Sequence, residues 1–375
     1  MPHRGLKRAV LIALVSGWAS RTFARKSGET ISGRILLALR PTAISELAPG
    51  RTIFLVSGTN GKTSTTRFLK RIVEQKGSVA TSQSGSNLNW GIASSLMKPD
   101  AYAVLEIDEL HLPSVLAQTN PKVVVLLNLT RDQLHRMHEV KRVADKWHEI
   151  ADVADETTFV VDIDDPYVNY ATSTAKSVIR VSFGGRSHPD GAVCPKCGSY
   201  LTWKEGIYDS DCGLTNRVYD RLLVASDASA RNAALANIAG SLIAAPYLEP
   251  SLGELERTIV REVRGVHADI RLTKNPASWT EALRGITSQN VILILNSREV
   301  DGIDTSWLFD VSFEILQGRK VVVTGERALD MQYRLHVEGI SSVQAPDFDA
   351  AMAHFPTDDH VQVLSAYTAF FELSK

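Results

Sequence analysis

The stretch Thr52-Ile-Phe-Leu-Val-Ser-Gly-Thr-Asn-Gly-Lys-Thr-Ser-Thr-Thr-Arg-Phe-Leu-Lys70 decides the fold. Its first five residues form a near-continuous apolar run of the kind that a strand buried on both faces requires. A glycine-containing turn follows, and Lys-Thr-Ser then opens a helical pattern. Strand, loop and helix in that order make residues 57–66 a phosphate cradle: Gly58 and Gly61 let the backbone approach closely, the helix start offers free N–H groups, and Lys62 adds a point charge. Thr63 is placed to offer its hydroxyl to Mg²⁺. The strict G-x-x-x-x-G-K-[ST] pattern is not met, because Val56 stands at its first glycine.

Outward from the loop, apolar β-rich runs at 101–107, 123–127 and 158–161 alternate with helical patterns at 62–76 and 140–154. That alternation predicts an α/β fold with a parallel sheet. Ligands of such sheets bind beyond the carboxyl ends of the strands, where Glu106 and then Asn128-Leu-Thr-Arg-Asp132-Gln-Leu-His135-Arg136 fall. Glu106 is the expected second Mg²⁺ ligand and a catalytic candidate. Asp108 and Glu109 fit a solvated acidic turn better.

At 375 residues the chain exceeds the ~250–300 at which one core stops growing, so two domains are expected. We divide it into an N-terminal helical segment (1–45), a central ATP-binding domain (46–248) and a C-terminal α/β domain (249–375), the junction lying in Pro246-Tyr-Leu-Glu-Pro-Ser-Leu-Gly. The C-terminal part reads as strands at 291–295, 320–324 and 361–364 with helices at 306–317, 328–336 and 348–354. A net charge of −1 gives no general electrostatic case for nucleic acid.

Between 184 and 217 the periodicity breaks into an insertion holding all three cysteines, Cys194, Cys197 and Cys212. Cys194-Pro-Lys-Cys197-Gly is a knuckle suited to tetrahedral Zn²⁺, which needs four ligands in a structural site. The residue three before Cys212 is Asp209 rather than cysteine, so Asp209 or His188 must complete the set, or the site is degenerate. Three cysteines in one segment argue against a disulfide framework and for the cytoplasm. They also leave no cysteine for a glutaminase nucleophile.

The N-terminal Met-Pro-His-Arg-Gly-Leu-Lys-Arg followed by an apolar run imitates a signal peptide, but the run is shorter than the ~20 residues that span a bilayer. It suits an amphipathic helix packed on the domain or lying on a membrane surface.

Taken together, Ser57-Gly-Thr-Asn-Gly-Lys-Thr-Ser-Thr-Thr, Leu105-Glu-Ile-Asp-Glu, the Asn128 segment and Val161-Asp-Ile-Asp-Asp-Pro resemble the central ATPase domain of the Mur ligases. The cysteine segment, Lys274-Asn-Pro-Ala-Ser-Trp279 and Asp301-Gly-Ile-Asp304-Thr-Ser-Trp307 narrow the resemblance to the MurT-type subunits of lipid II isoglutaminyl synthase. The resemblance implies that Gly58, Thr59, Asn60, Gly61, Lys62, Thr63, Ser64 and Asn128 bind ATP and that Thr63 and Glu106 hold Mg²⁺. It places Asn232 at the adenine, although a polar cap on an Ala-rich helix is the alternative. It further implies amidation of the stem-peptide D-glutamate through an acyl phosphate, with ammonia from a GatD-like class-I glutamine amidotransferase. Asp304, in preference to Asp301, would complete that partner's site; a helix N-cap is the competing role. Val266 stands where the family has Arg, and His135 where it has Asp. Competing functions are an amino-acid-adding Mur or folylpolyglutamate-type ligase and a non-catalytic nucleotide-binding subunit.

Overall fold

In the computed structural model, which describes residues 4–24, 28–82, 87–132, 140–186, 188–251, 255, 258–299 and 301–375, the Thr52–Ser57 strand lies inside a seven-stranded parallel sheet. Edge to edge the strands are Val79–Ala80, Tyr102–Glu106, Thr52–Ser57, Val123–Leu126, Thr158–Asp162, Val178–Ser182 and Arg221–Leu222. Phe54 and Val56 join one core cluster, packed beneath helices Lys62–Glu74 and Ala228–Ser241. Ile53 and Leu55, equally buried, face the opposite side, as alternation along a strand demands. Both faces are dry, which explains why the run is continuous rather than alternating. The Ile72 side chain packs directly on the Gly240 backbone where the two helices meet: a Cβ on Gly240 would fall 2.4 Å from Cγ2 of Ile72.

Contacts divide the chain into two units, 1–129 with 140–255, and 130–139 with 256–375. The sequence junction near 248 thus falls a few residues early, and the segment after Leu129 belongs with the C-terminal unit. His135 lies outside the described residues.

The C-terminal unit is a six-stranded sheet ordered Thr258–Val263, Val266–Leu272, His360–Ser365, Asn290–Ile294, Lys320–Thr324 and Ser342–Gln344, with only the first strand antiparallel to its neighbour. The first two strands form a hairpin that the sequence reading did not expect. Arg264 and Gly265 take φ of 55° and 76°, the left-handed pair of a two-residue hairpin turn. Val266 follows directly and is buried in the core. An arginine there would put a guanidinium into apolar packing, so this hairpin accounts for valine at that position.

The helix expected over 306–317 is instead two 3-10 turns, Ser306–Asp310 and Glu314–Leu316, separated by extended backbone at Val311. The buried Arg334 guanidinium explains the break. It donates to the carbonyls of Leu308 (2.9 Å) and Val311 (2.8 Å), which a continuous helix would have used internally.

Within the insertion, strands Thr202–Lys204 and Ile207–Asp209 make a two-stranded ribbon. Cys194, Leu201, Tyr208 and Leu214 form its own small core. At the N-terminus, helix α1 (Arg4–Ala24) packs on helix α2 (Gly28–Leu39). Among the described residues no helix is long and apolar enough to cross a membrane.

Candidate active site

Three neighbouring strands deliver the site. Thr52–Ser57 leads into the glycine loop, Tyr102–Glu106 ends on its carboxylate, and Val123–Leu126 leads to Asn128. The loop needs both glycines. Gly58 has φ 138°, and a Cβ there would lie 2.9 Å from the carbonyl oxygen of Asn128. Gly61 has φ 87° and caps the Lys62–Glu74 helix, leaving the first-turn N–H groups without a side-chain cap. Asn128 clamps the loop: its Oδ1 accepts from Asn60 N (3.0 Å), its Nδ2 donates to Asn60 O (2.9 Å), and its carbonyl accepts from Thr59 N (2.8 Å).

Lys62 is buried, and its Nζ folds back to donate to the carbonyls of Gly58 (2.6 Å) and Thr59 (3.3 Å) and to Glu109 Oε2 (3.0 Å). Glu109 therefore is not a solvated turn residue. Its own backbone is fixed by the Trp147 indole, which donates to its carbonyl at 2.8 Å. Sequence reasoning lacked a signal for this, because the lysine and its partner are 47 positions apart. Thr63 Oγ1 donates to Glu106 Oε1 at 3.0 Å. Two oxygen donors brought together beside a phosphate loop fit a hard cation such as Mg²⁺. Ser64 is buried in the first turn of the same helix. Asn232 lies on the Ala228–Ser241 helix with its Nδ2 2.2 Å from where a Gly61 Cβ would stand. The helix N-cap is Asp227, accepting from Ala230 N, so Asn232 is not the cap.

Behind the loop stands a carboxylate cluster built by the Asp162-Ile-Asp164-Asp165 turn. Arg231 donates to Asp162 (2.8 Å) and Asp164 (3.3 Å). Asp164 also accepts from Ser182, Phe183 N and Asn216. Asp165 caps the Pro166–Ala171 helix and accepts from Leu129 N. Burial pushes the Asp162 carboxyl up to about 7, outweighing the opposing pull of Arg231. The unfolded carboxyl titrates near 3.8, so between these values the native state holds more protons and stability falls as pH rises. Thermal unfolding is expected to show a declining midpoint from pH 5 to 8 that flattens in Asp162→Asn. Equal slopes in both proteins would refute this.

In the ribbon, the sulfurs of Cys194, Cys197 and Cys212 all lie within 4.8 Å of one another. Cys194 and Cys212 are 3.7 Å apart, which matches the ~3.8 Å between thiolates on one tetrahedral zinc with ~2.3 Å bonds. Asp209 does not join them. Its carboxylate is held by Arg217 at 2.8–3.2 Å on the ribbon's exposed edge. His188 is equally committed, with Nε2 3.1 Å from Asp165 and Nδ1 accepting from Asp190 N. Ser199 and Ser210 hydroxyls lie 3.1 and 3.2 Å from Cys197 and Cys212. The Ser199 hydrogen bond leads the causes holding the Cys197 thiol down at about 6, which favours its thiolate.

In the C-terminal unit, Asp301 is buried and saturated, accepting from Arg298 N, Thr368 N and Thr368 Oγ1. Asp304 is exposed and accepts from Ser306 N at 2.8 Å. Lys274 reaches Asp132 at 2.9 Å, both within this unit.

Strand, glycine loop and following helix have the form of a phosphate-loop α/β domain, and the family described as Mur ligase middle domain matches residues 56–211. A second family, MurT ligase C-terminal, matches residues 272–370. Over about nine tenths of its length the chain is similar to proteins described as MurT subunits. It is 26 % identical, over 90 % of its length and 88 % of the relative's, to the lipid II isoglutaminyl synthase (glutamine-hydrolyzing) subunit MurT of Staphylococcus aureus. To the protein of that description from Streptococcus pneumoniae it is 24 % identical, covering 92 % and 91 %. A pseudomurein peptide ligase type C from Methanothermus fervidus shares the fold at a TM-score of 0.63 and 17 % identity, over 87 % of this chain and 79 % of that one.

Proposed function

We propose that this chain is the ligase half of a lipid II isoglutaminyl synthase, using ATP and Mg²⁺ to activate the free carboxylate of the stem-peptide D-glutamate. The observation that carries the chemistry is Thr63 against Glu106 at 3.0 Å beside the Lys62 loop. A carboxylate is inert to ammonia at neutral pH. Attack of its oxygen on the γ-phosphorus of ATP releases ADP and leaves an acyl phosphate; ammonia then attacks the acyl carbon and phosphate departs. Phosphoryl transfer needs positioning and charge neutralisation more than covalent help from protein groups. In this chain positioning falls to the Asn128-clamped loop, neutralisation to Lys62, and cation holding to Thr63 and Glu106. Asn232, beside Gly61, is assigned to the adenine.

Ammonia comes from a partner, since all three cysteines are in the ribbon. A GatD-like class-I glutamine amidotransferase fits, with Asp304 completing its site and the pair working in the cytoplasm. Incubation with ATP, Mg²⁺, lipid II and either ammonia or free amino acids tests the reading. Product formation with ammonia alone is expected; turnover only with an amino acid would replace it by an amino-acid-adding ligase.

We also assign one structural Zn²⁺ to Cys194, Cys197 and Cys212, with the fourth position filled from outside Asp209 and His188. Metal analysis of the purified protein is expected to find one zinc per chain, lost in Cys197→Ser together with ribbon stability. A zinc-free parent protein would end that assignment.

A further inference from the structure

We propose that the outer face of α1 docks on an anionic lipid surface. The helix has two unlike faces. Leu6, Ala9 and Ala13 are buried on the side that meets α2. On the opposite side Leu11, Ile12, Leu14, Val15 and Trp18 are 47–63 % exposed. Positions 11, 14, 15 and 18 follow helical spacing, so they make one continuous apolar stripe. Lys7 and Arg8, both exposed, lie on that side one turn earlier.

The stripe faces away from α2, on which α1 packs. α2, which carries α1, is seated on the Asn89–Leu96 helix at a glycine: a Cβ on Gly33 would fall 1.7 Å from the Trp90 carbonyl oxygen. The Arg34 guanidinium stacks 4.7 Å above the Trp90 ring. α1 therefore cannot fold its apolar side inward without abandoning its buried one.

Charge selects the occupant. Arg4, Lys7, Arg8 and Arg21 lie on this helix and no acidic residue does. An apolar stripe with a tryptophan, combined with cations and no anions, matches a helix lying in the interface of an anionic bilayer. A second copy of the chain would set two basic rows against each other, which opposes pairing. The proposal does not depend on the ligase chemistry, because none of these residues belongs to the nucleotide site.

The test uses the full chain in flotation with phosphatidylcholine vesicles, with or without phosphatidylglycerol, and needs no ATP. Binding is expected to the phosphatidylglycerol vesicles and to fall with salt. Lys7→Gln with Arg8→Gln should weaken it about twenty-five-fold, at about a factor of five per cation. Leu11→Glu with Val15→Glu should abolish it while leaving helix content and ATP turnover unchanged. Absence of flotation, or variants that float like the parent, would overturn the proposal. So would self-association that Leu11→Glu with Val15→Glu reverses in a protein that binds no vesicles.

Discussion

Replacing Lys62 by alanine is expected to lower ATP-dependent ligation by about 10²–10³, the loss seen when one preorganised charge partner of a transition state is removed. The ammonium is held against the loop by contacts to two loop carbonyls and to Glu109. A guanidinium would not substitute, since the pocket is shaped for a compact charge folded onto Gly58 O at 2.6 Å. Glu109 adds a second aspect. It neutralises the buried cation and competes with nucleotide for it. Glu109→Gln should therefore keep the fold and tighten nucleotide binding, whereas Lys62→Ala weakens both binding and turnover. Steady-state kinetics with a thermal-unfolding control separate the cases. Turnover in Lys62→Ala within threefold of the parent would remove the lysine from the chemistry.

How much of this was legible beforehand depends on sequence distance. The glycine loop, Thr63 and Glu106 could be read because each sits at a strand end, and strand ends are marked by apolar runs. The parallel sheet was legible for that reason too. Glu109 was not, since its meaning comes from a lysine 47 positions earlier. The Asp162–Arg231 pair spans 69 positions and was equally hidden, although the acidic turn after a strand marked one half of it. Asp209 shows the converse error. Its spacing from Cys212 suggested a metal ligand, but ribbon pairing aims the side chain at Arg217 eight residues on. In the C-terminal unit, Val266 looked like a lost arginine until the Arg264–Gly265 turn put it in the core. The 306–317 helix failed because a distant buried arginine, Arg334, takes its carbonyls.

Asp304→Asn is expected to remove glutamine-driven amidation by about 10³–10⁴, by analogy with loss of the orienting carboxylate from a nucleophile–histidine pair, while leaving ammonia-driven amidation intact. The two aspartates of the Asp301-Gly-Ile-Asp304 segment are chemically alike but differently placed. Asp301 spends both oxygens inside the domain, on Arg298 N and on the backbone and hydroxyl of Thr368. Replacing it should unseat the Tyr367–Leu373 helix and lower both activities together. Asp304 is exposed, and the bond to Ser306 N uses Oδ1. Its neighbours Ile303 and Phe309 are 58 % exposed apolar side chains, a surface suited to a partner that brings the cysteine and histidine. Loss of a backbone cap costs only about 1 kcal/mol, too little to unfold the domain. An assay pairing each variant with the glutaminase subunit, fed first glutamine and then ammonium, thus separates partner completion from capping. If Asp304→Asn retains full activity with glutamine, the carboxylate is a cap and the partner's histidine is oriented from elsewhere.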